Sequence, residues 1–382
     1  MTTGILRTLI GMRRFVAALR LVVVTLFASS AVFAITPDIP RIEAGAGKGS
    51  IEQEIELGSA YFTGTGVEKD ATQAAYWYEK AANSGDPQAQ VQIGYFYEVG
   101  IGVTRDPERA VHWYQRAAAS GLSSASVNLG VVYLWGIGIR QDQALAAELF
   151  RRAVSKGCGV GATYLGDMYY FGIGVGHDEN AALHWYTVGA KLHDPQAEFR
   201  LAGMLMSFSG ERKTLRKEEE LLRRSMNAGY VPAKHALGLL LSNHPELAST
   251  PREPIQLLEE SAELGSWRSS VVLGILARDG RGVPADPRMA YYYFRVAELQ
   301  GGSDAIDLLA KDISIQSRKL TQAEIEAADT DAADWLKKHP VSLQFVYKVG
   351  AGSKHFPAYA LTTADNEVHA GQLIPTPPAQ RE

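Results

Sequence analysis

The chain has 382 residues, of which 46% are hydrophobic and 21% charged, a composition typical of a soluble globular protein. Its formal charge of −4, from 38 basic and 42 acidic residues, argues against nucleic-acid binding, because phosphate contacts require clustered lysine and arginine. The single cysteine, Cys158, excludes an internal disulfide, and its place in a turn favours a small structural residue over a nucleophile.

The first 34 residues have the order of an export signal. Four arginines precede an apolar run from Leu21 to Phe27, and Val32 and Ala34 supply the small residues of a cleavage site. An uncleaved membrane anchor is the alternative, but only about fifteen apolar residues follow Arg20, whereas a spanning helix needs roughly 20. We therefore expect cleavage after Ala34, a periplasmic or secreted protein, and no stable membrane insertion. Cleavage removes four of the 38 basic residues and leaves 34 against 42 acidic ones, a formal charge of about −8.

Residues 35–50 are rich first in proline and then in glycine, which is typical of a flexible linker. Gly45-x-Gly47-Lys48 resembles part of a phosphate-binding loop, but the spacing differs and no strand precedes it. We interpret the whole segment as a flexible linker.

A period of 36 residues organises the chain from residue 51 onward. Small residues recur at this step without insertion or deletion: Gly58, Gly94, Gly130, Gly166, Ala202, Gly238, Gly274 and Ala310. A fixed period of this length predicts stacked supersecondary units. We expect an all-α solenoid of about seven helix-turn-helix repeats over residues 51–306.

Each repeat is predicted to be a pair of antiparallel helices. In the first repeat, Ala74, Trp77, Tyr78 and Ala81 lie at i, i+3, i+4 and i+7, which defines one face of a second helix. Asp70 precedes that helix and is a suitable N-cap. The first helix contains Gly58 and ends at a Gly-x-Gly pair, which predicts the tight turn between the two helices.

The repeated glycines are interpreted as structural. A glycine inside a helix costs about 1 kcal/mol relative to alanine, so Gly58 and its counterparts need an offset. We expect that offset from close approach of the second helix, whose Ala74 and Ala81 positions are also small. Glycines such as Gly85 and Gly301 are expected to close the second helix in the left-handed conformation.

The pattern Leu-Gly-x-x-Tyr-x-x-Gly-x-Gly-Val, then Asp, then Ala-x-x-Trp-Tyr-x-x-Ala-Ala resembles the Sel-one-like repeats, which are relatives of the tetratricopeptide repeats. The resemblance implies an adaptor: bacterial members regulate sensor kinases, assist envelope or polysaccharide assembly, or contact host proteins. A cysteine-rich branch of the family is linked with penicillin binding and β-lactam hydrolysis. This chain lacks the cysteines of that branch and also the Ser-x-x-Lys motif.

Residues 199–270 keep the period but lose the regular turn. Phe208 and Gly210, then His244 and Glu246, stand where paired glycines are found in other repeats. We expect these two turns to differ in reach or direction. Two interpretations stay open, a partner site on this edge of the solenoid and neutral drift at a tolerant turn.

The C-terminal part is predicted to close the solenoid. Residues 307–340 read as a helical cap, in which Thr321 and Glu324 form a capping box, and a terminal cap with a polar outer side is what a solenoid requires. Residues 341–382 are predicted to be a largely irregular tail.

No catalytic constellation is evident in the sequence. The nine histidines are scattered, and His112 and His184 occupy the same repeat position two units apart, too far for a metal pair. The carboxylates are distributed as caps and surface charge. We therefore expect no enzyme activity, no cofactor and no metal, although residues distant in sequence can still assemble a site.

The leading hypothesis is an exported scaffold that binds another protein or peptide on its concave surface. A structural or self-assembling envelope component is the alternative, and an enzyme acting on β-lactams or peptidoglycan is a weaker one. Positions just after the first-helix tyrosines should face the partner, and they supply the candidate contacts Phe62, Glu98, Leu134, Trp135, Tyr170 and Phe171. Trp135 is the preferred anchor, and Trp135→Ala is expected to weaken partner capture without lowering the melting temperature.

Overall fold

The computed structural model describes residues 38–208, 212–301 and 303–339, together with the two-residue strands β1 (Phe345–Val346) and β2 (Ala360–Leu361), which pair antiparallel. The predicted export signal, its predicted cleavage site and most of the predicted tail lie outside the described residues. The helices are α1 (Ile39–Gly47), α2 (Ile51–Thr63), α3 (Ala71–Asn83), α4 (Pro87–Val99), α5 (Pro107–Ala119), α6 (Ser123–Trp135), α7 (Gln143–Ser155), α8 (Gly159–Phe171), α9 (Glu179–Lys191), α10 (Pro195–Phe208), α11 (Arg212–Asn227), α12 (Val231–Asn243), α13 (Glu253–Glu263), α14 (Trp267–Asp279), α15 (Pro287–Gly301), α16 (Ser303–Ser317) and α17 (Gln322–Lys338).

The helices from α2 to α15 form seven consecutive pairs, and each pair is one 36-residue unit. Within a unit the even-numbered helix is the first and the odd-numbered helix is the second. Each helix packs on its partner and on the next helix along the chain, which is the pattern of a helical solenoid. The predicted all-α solenoid is confirmed.

The glycine in each first helix makes room for a large side chain of the second helix. A Cβ atom on Gly94 would lie 2.7 Å from Cε1 of Tyr114, and a Cβ on Gly166 would lie 2.4 Å from Cε1 of Tyr186. These rings belong to a buried column that lies 20 residues after the glycines: Tyr78, Tyr114, Phe150, Tyr186, Leu222, Leu258 and Phe294. The second helix thus approaches each glycine through this larger column, and at Gly58 the nearest atoms belong to Tyr78 and not to Ala74 or Ala81.

The two glycines of each regular turn have different tasks. The first glycine ends the first helix in the left-handed conformation, as Gly100 does with a φ of 84°. The second lets successive units touch, because a Cβ on Gly102 would lie only 1.9 Å from the carbonyl oxygen of Ala71 at the start of the preceding second helix.

Five glycines close second helices with a positive φ, as predicted, but Gly301 departs from the expectation. Gly301 does not have a positive φ and belongs to α15, where a Cβ would clash with Ala305 and with the ring of Trp267. His193 occupies the glycine position of the fourth unit with a φ of 57°, and its Nδ1 lies 3.1 Å from Nη2 of Arg224. This backbone conformation is strained for a non-glycine residue.

The prediction of a flexible linker over residues 35–50 is wrong for residues 38–50, the part of the segment that the structure describes. Residues 39–47 form α1, whose side chains Ile42 and Ala46 are buried against Leu57 of the first unit. The helix keeps the 36-residue register: Gly49, with a φ of 83°, closes α1 as Gly85 closes α3. Helix α1 is therefore a shortened second helix that covers the exposed side of the first unit.

The first helices form the inner layer of the solenoid. Two pairs of consecutive first helices contact each other, α8 with α10 and α12 with α14. No two consecutive second helices of the seven units contact each other as closely. Because the more closely spaced layer of a curved array lies inside the curve, the first helices line the concave surface.

At the C-terminal end, α16 and α17 both pack against α15. Helix α17 begins with the predicted capping box, in which Glu324 Oε2 accepts a hydrogen bond of 2.8 Å from the Thr321 backbone nitrogen, and the Thr321 side chain accepts one from the Glu324 nitrogen. Only Ala328 and Ala332 of α17 are buried, so the outer side of this helix is exposed to solvent.

Candidate interaction surface

The inner surface of the second to fourth units combines carboxylates with aromatic rings. It is built from positions two residues before and one residue after the repeated glycine, and in these units all of them except the buried Gln92 stay partly exposed. The partly exposed residues are Tyr95, Asn128, Val131, Tyr164 and Asp167. We call this region, together with Glu98, the inner patch.

Two carboxylates of the inner patch are held by tyrosines that reach over the glycines. The hydroxyl of Tyr114 donates a hydrogen bond of 2.8 Å to Oε2 of Glu98, and that of Tyr186 donates one of 2.6 Å to Oδ1 of Asp167. Arg200 also contacts Asp167, with Nε 3.3 Å from Oδ1. A fixed carboxylate can bind a partner with a smaller loss of side-chain entropy than a mobile one.

Tyr164 lies between these carboxylates. Its ring stacks on Phe150, with the centroids 4.8 Å apart and an angle of 7° between the planes. Burial raises the pKa of Tyr164, and the charges of Asp167 and Glu98 raise it further. Burial and the charge of Glu98 likewise raise the pKa of Tyr95 to about 12. The neighbouring carboxylates therefore add to the effect of burial, and both hydroxyls stay protonated at neutral pH.

Of the six candidate contacts, Leu134 and Phe62 are occupied inside the protein. Leu134 is 2% exposed and belongs to the core of the third unit, so its prediction as a partner contact is wrong. Phe62 is partly buried and packs on Phe96 of the next unit, with the ring centroids 5.3 Å apart, so it fills the seam between two units.

The other four candidates remain at the surface to different extents. Glu98 belongs to the inner patch. Tyr170 is 39% exposed and its ring meets the edge of Phe171, which is partly buried. Trp135 is also partly buried, and its indole packs against the core of the third unit. Tyr95, Tyr164, Asp167 and Arg200 were not predicted from the sequence. Their repeat positions hold variable and often polar residues, which is a signal that could have indicated surface positions.

Trp135→Phe is expected to leave the free energy of unfolding nearly unchanged, whereas Trp135→Ala should lower it by about 2 kcal/mol or more. The indole ring packs on the core, but its Nε1 is buried and has no hydrogen-bond partner among the described residues, so phenylalanine removes an unsatisfied donor. Urea unfolding followed by circular dichroism compares the two variants. Equal stability of Trp135→Ala and the wild type would restore the original expectation of a freely exposed anchor.

A separate cavity of about 460 Å³ lies on the turn edge between the sixth and seventh units. Helix α13 begins at Glu253, two residues later than the 36-residue step from Pro287 predicts, and the seam stays open there. A Cβ on Gly282 would have Ile255 Cδ1 as its nearest neighbour at 3.7 Å, whereas the matching Gly102 lies against backbone. The irregular turn therefore has the altered geometry predicted for it, and a partner site at this edge stays a prediction.

The described part of the chain gives little support for a metal site or a reactive thiol. No group of three or more histidine, cysteine, aspartate or glutamate side chains is placed to hold a metal ion there. Cys158 is partly buried at the start of α8, and burial raises the pKa of its thiol, which disfavours the reactive thiolate. Across the described helices, no segment has both the length and the apolar character that a membrane crossing requires.

The model of the Sel1 repeat family matches residues 54–86, 87–122, 123–158, 160–194 and 272–302. These five matches coincide with units one to four and unit seven of the solenoid. The chain thus carries five Sel1 repeats. The two unmatched units are those with irregular turns, and Sel1-repeat proteins generally mediate protein–protein interactions.

Several solved structures resemble this Sel1-repeat protein. The Sel1 repeat protein from Oxalobacter formigenes is 26% identical, with a TM-score of 0.51 over 56% of this chain and 88% of that chain. A protective antigen of uropathogenic Escherichia coli strains displaying an SLR fold is 23% identical, with a TM-score of 0.45, and covers 79% of this chain and 72% of its own. A comparison with curated proteins gives no match.

Proposed function

We propose that this Sel1-repeat protein is an exported scaffold that holds a segment of another protein on the inner surface of its solenoid. The observation that supports this function most is the inner patch, where oriented carboxylates and partly exposed aromatic rings lie next to each other on a concave surface. Aromatic side chains supply much of the binding energy at protein interfaces, and fixed polar groups supply specificity. An adaptor holds two partners together, so an adaptor role also requires a second partner that binds elsewhere on the array.

Export is the second part of the proposal, and it rests on the order of charged, apolar and small residues before Ala34. The protein purified from its native host should then begin at Ile35 and be recovered outside the cytoplasm. N-terminal sequencing checks this. A soluble cytoplasmic protein that retains Met1 would contradict export without affecting the binding function.

Site-specific crosslinking in the native host tests the binding function. A photoreactive amino acid at Asn128, which lies in the same repeat position as Tyr164, should crosslink to one specific protein. The matched control places the same group at Glu148, which is exposed on the second helix of the same unit. Crosslinking from position 148 but not from position 128 would move the binding surface to the outer layer and overturn the proposal.

A further inference from the structure

The first helices of units one to four contain no lysine, arginine or histidine. Over these same four helices, α2, α4, α6 and α8, the acidic residues are Glu52, Glu54, Glu56, Glu98 and Asp167. Glu54 is buried and paired with Lys80 at 3.0 Å. The side chain of Asp167 is only 15% exposed and contacts both Tyr186 and Arg200. The inner layer of this half of the solenoid therefore carries charge of one sign.

The basic residues of the same four units lie elsewhere. Their second helices contribute Lys80, Arg109, Arg116, Arg151, Arg152 and Lys191 to the outer layer. The first cation carried by a first helix is Arg200, on the fifth unit, and it contacts Asp167 at the edge of the acidic half. On the turn edge of the second unit, Arg105 Nε donates a hydrogen bond of 2.9 Å to the backbone oxygen of Glu98, so its guanidinium lies at the end of α4. From Arg200 onward the first helices carry more basic residues than acidic ones. The acidic half thus has a defined boundary.

The acidic half also has an apolar centre. Glu98 comes from the second unit and Asp167 from the fourth, while the third unit between them contributes no charge, only Val131 and the partly exposed edge of Trp135. Adjacent helices lie roughly 8–10 Å apart, so two units span about the length of six residues of extended chain. The surface therefore presents the Glu98 carboxylate, an apolar unit and the less exposed Asp167 carboxylate, which Arg200 already contacts, within reach of one short segment.

We propose that the partner segment is basic, with lysine or arginine residues on both sides of an apolar one, and that it lies across the inner surface of units one to four. This inference rests on the proposed function and adds the chemistry of the partner. Lysine and arginine satisfy the carboxylates and also stack favourably on the faces of tyrosine and tryptophan. A neutral or acidic segment would leave Glu98 facing an unpaired or repulsive group.

Fluorescence anisotropy with the purified protein and three labelled peptides tests the proposal. The peptides share their apolar residues and carry lysine, glutamine or glutamate at the flanking positions. The lysine peptide should bind at least about tenfold more tightly than the glutamine peptide, and the glutamate peptide should not saturate. The affinity of the lysine peptide should fall as the salt concentration is raised, because exposed charges are screened. Spermidine, which offers charge without an apolar residue, should compete only weakly.

Glu98→Gln and Glu56→Gln should each weaken binding of the lysine peptide several-fold. Glutamine keeps a hydrogen-bond acceptor for Tyr114, so the fold should tolerate the change, and melting curves verify this. Glu148→Gln, on the exposed outer helix α7, is the matched control and should bind like the wild type. Equal binding of all three peptides, competition by spermidine as strong as by peptide, or unchanged affinity in Glu98→Gln and Glu56→Gln would each overturn the inference. Specific crosslinking from Asn128 to a neutral or acidic segment would overturn it while leaving the proposed function in place.

Discussion

Gly94→Leu is expected to destabilise the solenoid by about 3 kcal/mol or more, the upper end of the usual cost of overpacking. Even a Cβ atom at this position would lie 2.7 Å from the ring of Tyr114, which is buried between α4 and α5 and cannot move outward without opening the unit. Because each unit contacts mainly its neighbours, we expect the damage to spread from the second unit along the array. Urea unfolding and hydrogen exchange measure both effects.

Gly203→Ala is the matched control for this prediction. Gly203 also lies in a first helix, but a Cβ there would meet no atom within 4 Å, so alanine should stabilise its helix by up to about 1 kcal/mol. If Gly94→Leu unfolds at the same urea concentration as the wild type, the packing of the glycine column against the ring column is incorrect.

Glu218→Ala should raise the free energy of unfolding at neutral pH by about 1–3 kcal/mol, because an unsatisfied buried polar group is removed. Glu218 is 2% exposed, and its Oε2 has no hydrogen-bond partner among the described residues. In five of the other six units its repeat position holds a buried alanine: Ala74, Ala110, Ala146, Ala182 and Ala290. Alanine should therefore fit the site, and Glu220→Ala, an exposed neighbour, should change stability little.

The gain from Glu218→Ala should depend on pH. Burial raises the pKa of Glu218, and the nearby His244 only partly opposes this. The folded protein therefore retains the proton at pH values where the unfolded chain has lost it, and wild-type stability falls as pH rises through that range. An ordinary glutamate has a pKa of about 4.3. The difference in free energy of unfolding between variant and wild type should therefore be smaller near pH 4 than near pH 7. A difference that grows on acidification would contradict this account.

The period of the sequence was enough to predict the solenoid, its helix pairs and the C-terminal capping box. Composition misled at α1, because the proline and glycine content of residues 35–50 masked a helix whose Gly49 keeps the repeat register. The partner of the glycine column was also missed. Small residues on both helices suggested close backbone approach, but which face of the second helix turns inward depends on the geometry of the turn.

The candidate site was less predictable than the fold. Glu98 was identified from the sequence, but its contact with Tyr114 joins different helices across a turn, and no spacing rule predicts it. Leu134 was misassigned because its repeat position holds glutamate in one unit and a core leucine in another. A position that varies between units has to be placed by the packing of each unit separately.

Helix α1 and the α16–α17 pair have a consequence for assembly. Units of this kind grow in one dimension by adding a helix pair to an open end, and a bare end would accept a second copy of the chain as readily as the next unit. Here the Leu57 side of the first unit is covered by α1, and α15 is covered by two helices at the other end. Among the described residues, a second copy that adds to either end therefore has to displace α1 or the α16–α17 pair, whereas association through the lateral surfaces does not.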